Sequence, residues 1–128
     1  MGSPAGRVIW VITDDMQALA DALAPVVGRP VTCDPRNLAP PCVLIEPPRL
    51  SPASVLCGDT TARYSVLVVG LPGAFAELGP LAALLDEVLF ALDTEGLPWL
   101  LAEPVAYYPL ASSASVEPSQ AYRIQIGE

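Results

Sequence analysis

Two kinds of apolar periodicity alternate along this chain. Residues 63–69, Arg-Tyr-Ser-Val-Leu-Val-Val, combine β-branched and aromatic side chains and make the strongest strand prediction; residues 70–73, with glycine at both ends, close it. Residues 42–46 are apolar nearly throughout, which predicts a strand buried on both faces, stopped by Pro47-Pro48. Between these runs, residues 49–61 read as a long loop carrying Ser51-Pro52 and Gly58-Asp59. Such a loop exceeds the usual few residues between paired strands, and long loops in compact domains are enriched in function. The period then changes. Leu78, Leu81, Leu85, Val88, Leu89 and Leu92 recur at three- and four-residue steps, predicting a helix that ends at about Thr94. Pro80 starts or kinks it, and Gly96 stops it. Residues 102–110 and 121–126 read as two further strands joined by a polar connection over 112–119. Pro104 and Pro109 place the first at a sheet edge. In the second, Tyr122, Ile124 and Ile126 take one face and Arg123 and Gln125 the other.

The N-terminal third is less decided. Residues 1–7 read as a loose terminus. Residues 7–13 favour a strand locally, yet they run without a turn residue into the helical stripe Met16, Leu19, Ala20, Leu23. They are either a strand or the first turns of one long helix. In the first case Thr13 is the N-cap, with Asp14 and Asp15 in the first turn. Pro25 or Gly28 ends the helix. Residues 31–34 form a short strand and Asp34-Pro35-Arg36-Asn37 a turn. The order helix, short strand, strand, strand, helix, strand, strand predicts an α+β fold. It is a single small domain over residues 1–128, with an antiparallel or mixed β-sheet flanked by two α-helices packed on one side.

Composition narrows the function classes. Hydrophobic residues make up 52% of the 128 positions, so core material is ample. Charged residues are 16%, below the roughly 25% of ordinary soluble domains. Much of the surface is therefore weakly polar, which favours association. A net charge of −8 argues against a nucleic-acid binder, which needs cations to displace counterions from phosphates, but suits a wall that DNA passes without sticking. All six basic residues are arginine, as coding bias in a GC-rich genome or selection for bidentate pairing would give. No secretory signal and no membrane-spanning run is expected, so the protein is read as made in the cytoplasm.

Chemical tools are scarce. With no histidine, neither serine nor cysteine gains the usual base. Asp14 with Asp15, and Asp86 with Glu87, are adjacent on helices and point apart, so neither is a convincing catalytic pair. Gly70-Leu71-Pro72-Gly73 precedes a helix but lacks the Lys-Ser/Thr of a phosphate loop. Cys33, Cys42 and Cys57 fit no zinc spacing and read as small hydrophobes, the alternative being one disulfide and a reactive thiol. No enzymatic activity, metal or cofactor is expected. Trp10, Trp99, Tyr107 and Tyr108 are either core residues or interface anchors.

The chain resembles the tail-terminator (tail-completion, minor tail) proteins of long-tailed bacteriophages, in particular those of phages with GC-rich hosts. The phrases that carry the resemblance are Leu19-Ala20-Asp21-Ala22-Leu23, Asp34-Pro35-Arg36-Asn37, Pro40-Pro41-Cys42-Val43-Leu44-Ile45, Tyr64-Ser65-Val66-Leu67-Val68-Val69-Gly70 and Tyr122-Arg123-Ile124-Gln125-Ile126. It covers most of the chain from about residue 14 and is weakest over 7–13. It rests on no invariant chemical motif. It implies a fold similar to tail-terminator and tail-tube subunits. It also implies a structural virion protein: a homohexameric ring that caps the tail tube, ends its growth and offers a docking surface to the head–tail connector. DNA would cross the lumen without specific binding, and no membrane would be involved. The residues expected at the subunit or tube interface are Arg49, Leu50, Val55, Leu56, Asp59 and Arg63 of the long loop, and Arg36 of the preceding turn. For Arg36 the competing expectation is a local pair with Asp34. A head-closure or head–tail adaptor protein is the near alternative, and a small non-viral ligand-binding domain the distant one.

Overall fold

A computed structural model describes residues 5–37, 40–52, 60–72, 75–107 and 119–127. These form helix α1 (Ala5–Leu23), strands β1 (Val31–Thr32), β2 (Cys42–Pro52) and β3 (Thr60–Val69), helix α2 (Leu78–Thr94), and strands β4 (Trp99–Tyr107) and β5 (Ser119–Ile126). The strands make one five-stranded mixed sheet in the order β1-β2-β3-β5-β4. β1 runs parallel to β2, and every other pair is antiparallel. The fold is the α+β arrangement that the order of elements predicts.

The undecided N-terminal segment is helical from Ala5, so residues 7–13 are the first turns of α1. Their β-branched character is a weak local preference, and continuity with the apolar stripe of the helix overrides it. Thr13 therefore lies in mid-helix and is not a cap, and Asp14 and Asp15 are not in a first turn. Helix α2 is preceded by a 3₁₀ turn, Phe75–Glu77, and Pro80 sits within its first turn, where a missing N–H costs nothing. At its other end Gly96 adopts φ +71°. The Leu97 N–H reaches back to the Leu92 carbonyl at 2.9 Å and closes the helix in a glycine-terminated cap.

Strand alternation builds two cores. Val43, Ile45, Val66, Val68 and Ile124 face the helices and pack with Met16, Leu19, Leu23, Leu81, Leu84, Val88 and Leu92. Tyr122 and Ile126 lie against the same core, as their alternation predicts. On the opposite face, Cys42, Leu44, Leu67, Val69 and Ala121 form a second buried cluster, with Val105 and Tyr107 against it. Residues 42–45 are thus buried on both sides of the sheet, as their unbroken apolar run predicts.

Pro47-Pro48 does not stop β2. Glu46 pairs with Ser65 and Arg49 with Arg63, so the two prolines stand opposite Tyr64 alone and form a β-bulge. Prolines are tolerated there because β1 pairs with β2 only at Val43 and Leu44, leaving this stretch of β2 on the sheet edge. The strand resumes through Pro52, and β3 begins at Thr60 rather than Arg63. Most of the described part of the expected loop is therefore a two-stranded ribbon.

Candidate assembly surface

That ribbon is the feature that separates this molecule from a plain sheet with two helices. β3 pairs with β5 only from Ser65 to Val69. Arg49 to Pro52 and Thr60 to Arg63 consequently pair with each other and with no other strand. Four residues of strand extend about 13 Å, so the ribbon is an arm projecting past the sheet. Arg49 and Arg63 are direct cross-strand neighbours at its base, both exposed. Like charges placed opposite each other are unfavourable, and neither has an ion-pair partner among the described residues. Leu50, on the other face of the arm, is 47% exposed. Of the residues expected at an interface, Arg49, Leu50 and Arg63 are thus brought together. Val55, Leu56 and Asp59 lie outside the described residues.

Arg36 is not part of this surface. It sits in a 3₁₀ turn after β1, where its Nε donates to Asp34 Oδ1 at 3.1 Å and its Nη2 to Oδ2 at 3.0 Å. The Arg36 backbone N–H also donates to Asp34 Oδ1 at 2.9 Å. These hydrogen bonds hold the Asp34 carboxyl below its usual range. The local pair is what the structure contains, and the intermolecular contact expected of Arg36 would have to compete with it.

Three polar contacts escape sequence reasoning. Arg123 on β5 grips Glu46 on β2 in a bidentate pair, Nε to Oε1 at 2.8 Å and Nη2 to Oε2 at 3.1 Å, spanning β3 on the outer face of the sheet. Glu103, paired in register with Arg123, adds a second negative charge from β4. The Tyr64 hydroxyl donates to Asp15 Oδ2 at 2.9 Å, tying β3 to α1. Glu87 Oε1 accepts the Gly28 N–H at 3.0 Å, tying α2 to the turn after α1. The alternation of β5 does place Arg123 on a polar face, but its partner follows only from the strand order.

Among the grooves of the described residues are two beside the helices. One, of about 280 Å³, is floored by Ala18, Leu19, Ala22 and Leu97 and rimmed by Asp15, Tyr64 and Glu95. The other, of about 480 Å³, lies between α2 and β4 and is lined by Asp86, Glu87, Leu89, Phe90, Asp93 and Trp99. Phe90 is 64% exposed there, and Trp99, Leu100 and Leu101 are exposed along the start of β4. Trp99 is therefore a surface aromatic, whereas Tyr107 packs on the second core. Tyr108 and the Trp10 side chain lie outside the described residues.

Among the described residues no group of three or more Cys, Asp or Glu could hold a metal ion, and no helix is long and apolar enough to cross a membrane. Burial, reinforced by the Asp21 charge, raises the Cys33 thiol and disfavours the reactive thiolate. Cys57 lies outside the described residues. Compared with protein-family models, curated proteins and solved structures, the chain matches none.

Proposed function

We propose that this protein is a tail terminator of a long-tailed bacteriophage, a non-enzymatic subunit that closes into a homohexameric ring on the end of the tail tube. The observation that carries this reading is the arm of β2 and β3 projecting past one side of the sheet while exposed apolar residues line β4 at the other. A subunit with unlike patches at its two edges makes heterologous contacts, and these give a ring where the rotation from copy to copy closes. The low charge content and the resemblance in chain order support it.

The mechanism is capping by shape. The ring seats on the last ring of tube protein and leaves no site for another, while its far face receives the head–tail connector. The acidic balance suits a lumen through which DNA passes without adhering. The protein is synthesised in the host cytoplasm and ends in the virion. A head-closure or head–tail adaptor role would draw on the same edges and differ in position within the particle. The ligand-binding alternative is favoured by one observation, the apolar groove rimmed by Asp15, Tyr64 and Glu95.

Mass measurement and negative-stain imaging of the purified chain, alone and with isolated tail tubes, test the proposal. A ring, or a six-copy cap at one tube end, is the expected result. A monomer that ignores tubes overturns it. If that monomer also gains thermal stability from a small amphipathic ligand, the groove becomes the functional site.

A further inference from the structure

On α2, Asp86, Phe90 and Asp93 follow one another at four- and three-residue steps and so share one stripe of the helix. Trp99 flanks the stripe from β4, completing the groove. Asp86 and Asp93 stand about 10 Å apart along the helix axis, and neither carboxylate has a hydrogen-bond or ion-pair partner among the described residues. Two exposed aromatic rings between two unneutralised carboxylates make a receptor for cations carried on apolar stems.

The chain itself carries the matching group. Of its six arginines, Arg36 is committed to Asp34 and Arg123 to Glu46. Arg29 stands exposed in the turn after α1 with no ion pair among the described residues, and the Arg7 side chain lies outside them. Arg49 and Arg63 stand side by side on the arm without an ion pair. Their α-carbons sit about 5 Å apart across the ribbon, and two splayed arginine side chains cover the spacing of the two carboxylates. Arg49 and the groove belong to opposite sides of the sheet, since β2 lies next to the β1 edge and β4 forms the other, whereas Arg63 stands on the middle strand with a guanidinium nitrogen beside Gly127 at the end of β5. Arg49 of one molecule is therefore placed for a neighbour's groove rather than for its own. We propose that the arm of one copy docks in the α2–β4 groove of a second copy, with the Arg49 and Arg63 guanidiniums on Asp86 and Asp93 and over the Phe90 and Trp99 rings. The contact is head-to-tail, so it propagates from copy to copy until it closes. It deepens the ring reading and rests on it for the identity of the partner.

Charge reversal in the full chain tests the contact. R49E/R63E reverses the arm and D86R/D93R reverses the groove; all four residues are exposed, and circular dichroism with a melting curve checks folding. In sedimentation velocity the wild type associates, each variant alone associates at least about tenfold more weakly, and an equimolar mixture of the two recovers association. The mixture is decisive, because each variant's arm then meets a groove of opposite charge. Should a reversal variant fail to fold, R49Q/R63Q and D86N/D93N replace it, with weakened association as the expected result. A wild type that stays monomeric at several hundred micromolar, a variant that associates like the wild type, or a mixture that stays dissociated overturns the proposal. Tube capping by the same proteins separates the two ideas. If R49E/R63E still caps tubes as a ring, the tail reading stands and this contact falls. If the wild type and the mixture associate but ignore tubes, the contact stands and the tail reading falls.

Discussion

Tyr64 holds the outer end of the sheet to α1 through a single hydroxyl. Burial, then the hydrogen bond to Asp15 and that carboxylate's charge, raise the Tyr64 hydroxyl well above its ordinary pKa of 10.0. The sign follows from linkage. In the unfolded chain the phenol ionises at its ordinary value, whereas in the folded chain it stays protonated to higher pH. The stabilising contribution is therefore complete below pH 10 and is lost as pH climbs toward the raised folded value. Tyr64→Phe should lower stability at pH 7 by about 0.5–1 kcal/mol, the bond being partly exposed, and should flatten the alkaline fall in stability. Chemical denaturation of both proteins from pH 7 to pH 11 reads both effects. The Glu46–Arg123 pair behaves differently because it is better shielded, with side-chain exposures of 21% and 32%. Arg123→Met leaves the Glu46 carboxylate without its bidentate partner and should cost about 1–3 kcal/mol. Adding Glu46→Gln in the same chain should recover part of that loss, and a double-mutant cycle measures the coupling.

At the scale of elements, what could be read from the sequence depended on how local the cause was. Helix α2, its glycine stop and the alternation of β5 are written in spacings of three, four and two residues, and all three formed as predicted. Gly96 allows a quantitative check. Its φ of +71° strains any residue with a Cβ, and a Cβ built there meets nothing within 4 Å, so the cost is purely conformational. Gly96→Ala should destabilise by about 1 kcal/mol with no change in core packing, measurable as a fall in the denaturant midpoint at constant m-value. The β2–β3 arm was not legible, because proline is a stop signal in isolation. Its tolerance at Pro47 and Pro48 depends on which strands flank β2, a fact of topology. Helix α1 was half legible for a related reason. Residues 7–13 carry a strand preference that only the continuous helical ladder outweighs. Of the candidate interface, Arg49, Leu50 and Arg63 could be picked out as residues of an unusual segment. The α2–β4 groove could not, since its aromatics come from elements whose adjacency no local pattern encodes.

For the whole molecule, the charges are unevenly placed. Asp14, Asp15, Asp21, Asp86, Glu87 and Asp93 all lie on the two helices. Arg49, Arg63 and Arg123 alternate onto the outer face of the sheet with Ser65 and Leu67, where Glu46 and Glu103 offset part of their charge. Head-to-tail association between such faces carries an ionic share, and salt sets its strength. The Debye length falls from about 10 Å at 0.1 M to about 3 Å at 1 M salt. Self-association should therefore weaken over that range by roughly an order of magnitude, without reaching zero because the Phe90 and Trp99 contacts are apolar. Sedimentation at the two salt concentrations checks this, and an association that strengthens with salt would instead assign the contact to apolar surface alone.

A projecting ribbon has a hazard of its own. Strand edges that offer a regular row of donors recruit further strands, and uncontrolled recruitment ends in fibrils. Along the free margin of β2, positions 47, 48 and 52 are proline and carry no backbone N–H. The same imino acids that obscure this strand in the sequence thus deprive the β2 margin of the row of donors that cross-β growth needs, while Thr60 to Arg63 on the β3 margin keep theirs. On its β2 side the arm keeps side chains with which to grip a neighbour and little backbone with which to template an amyloid.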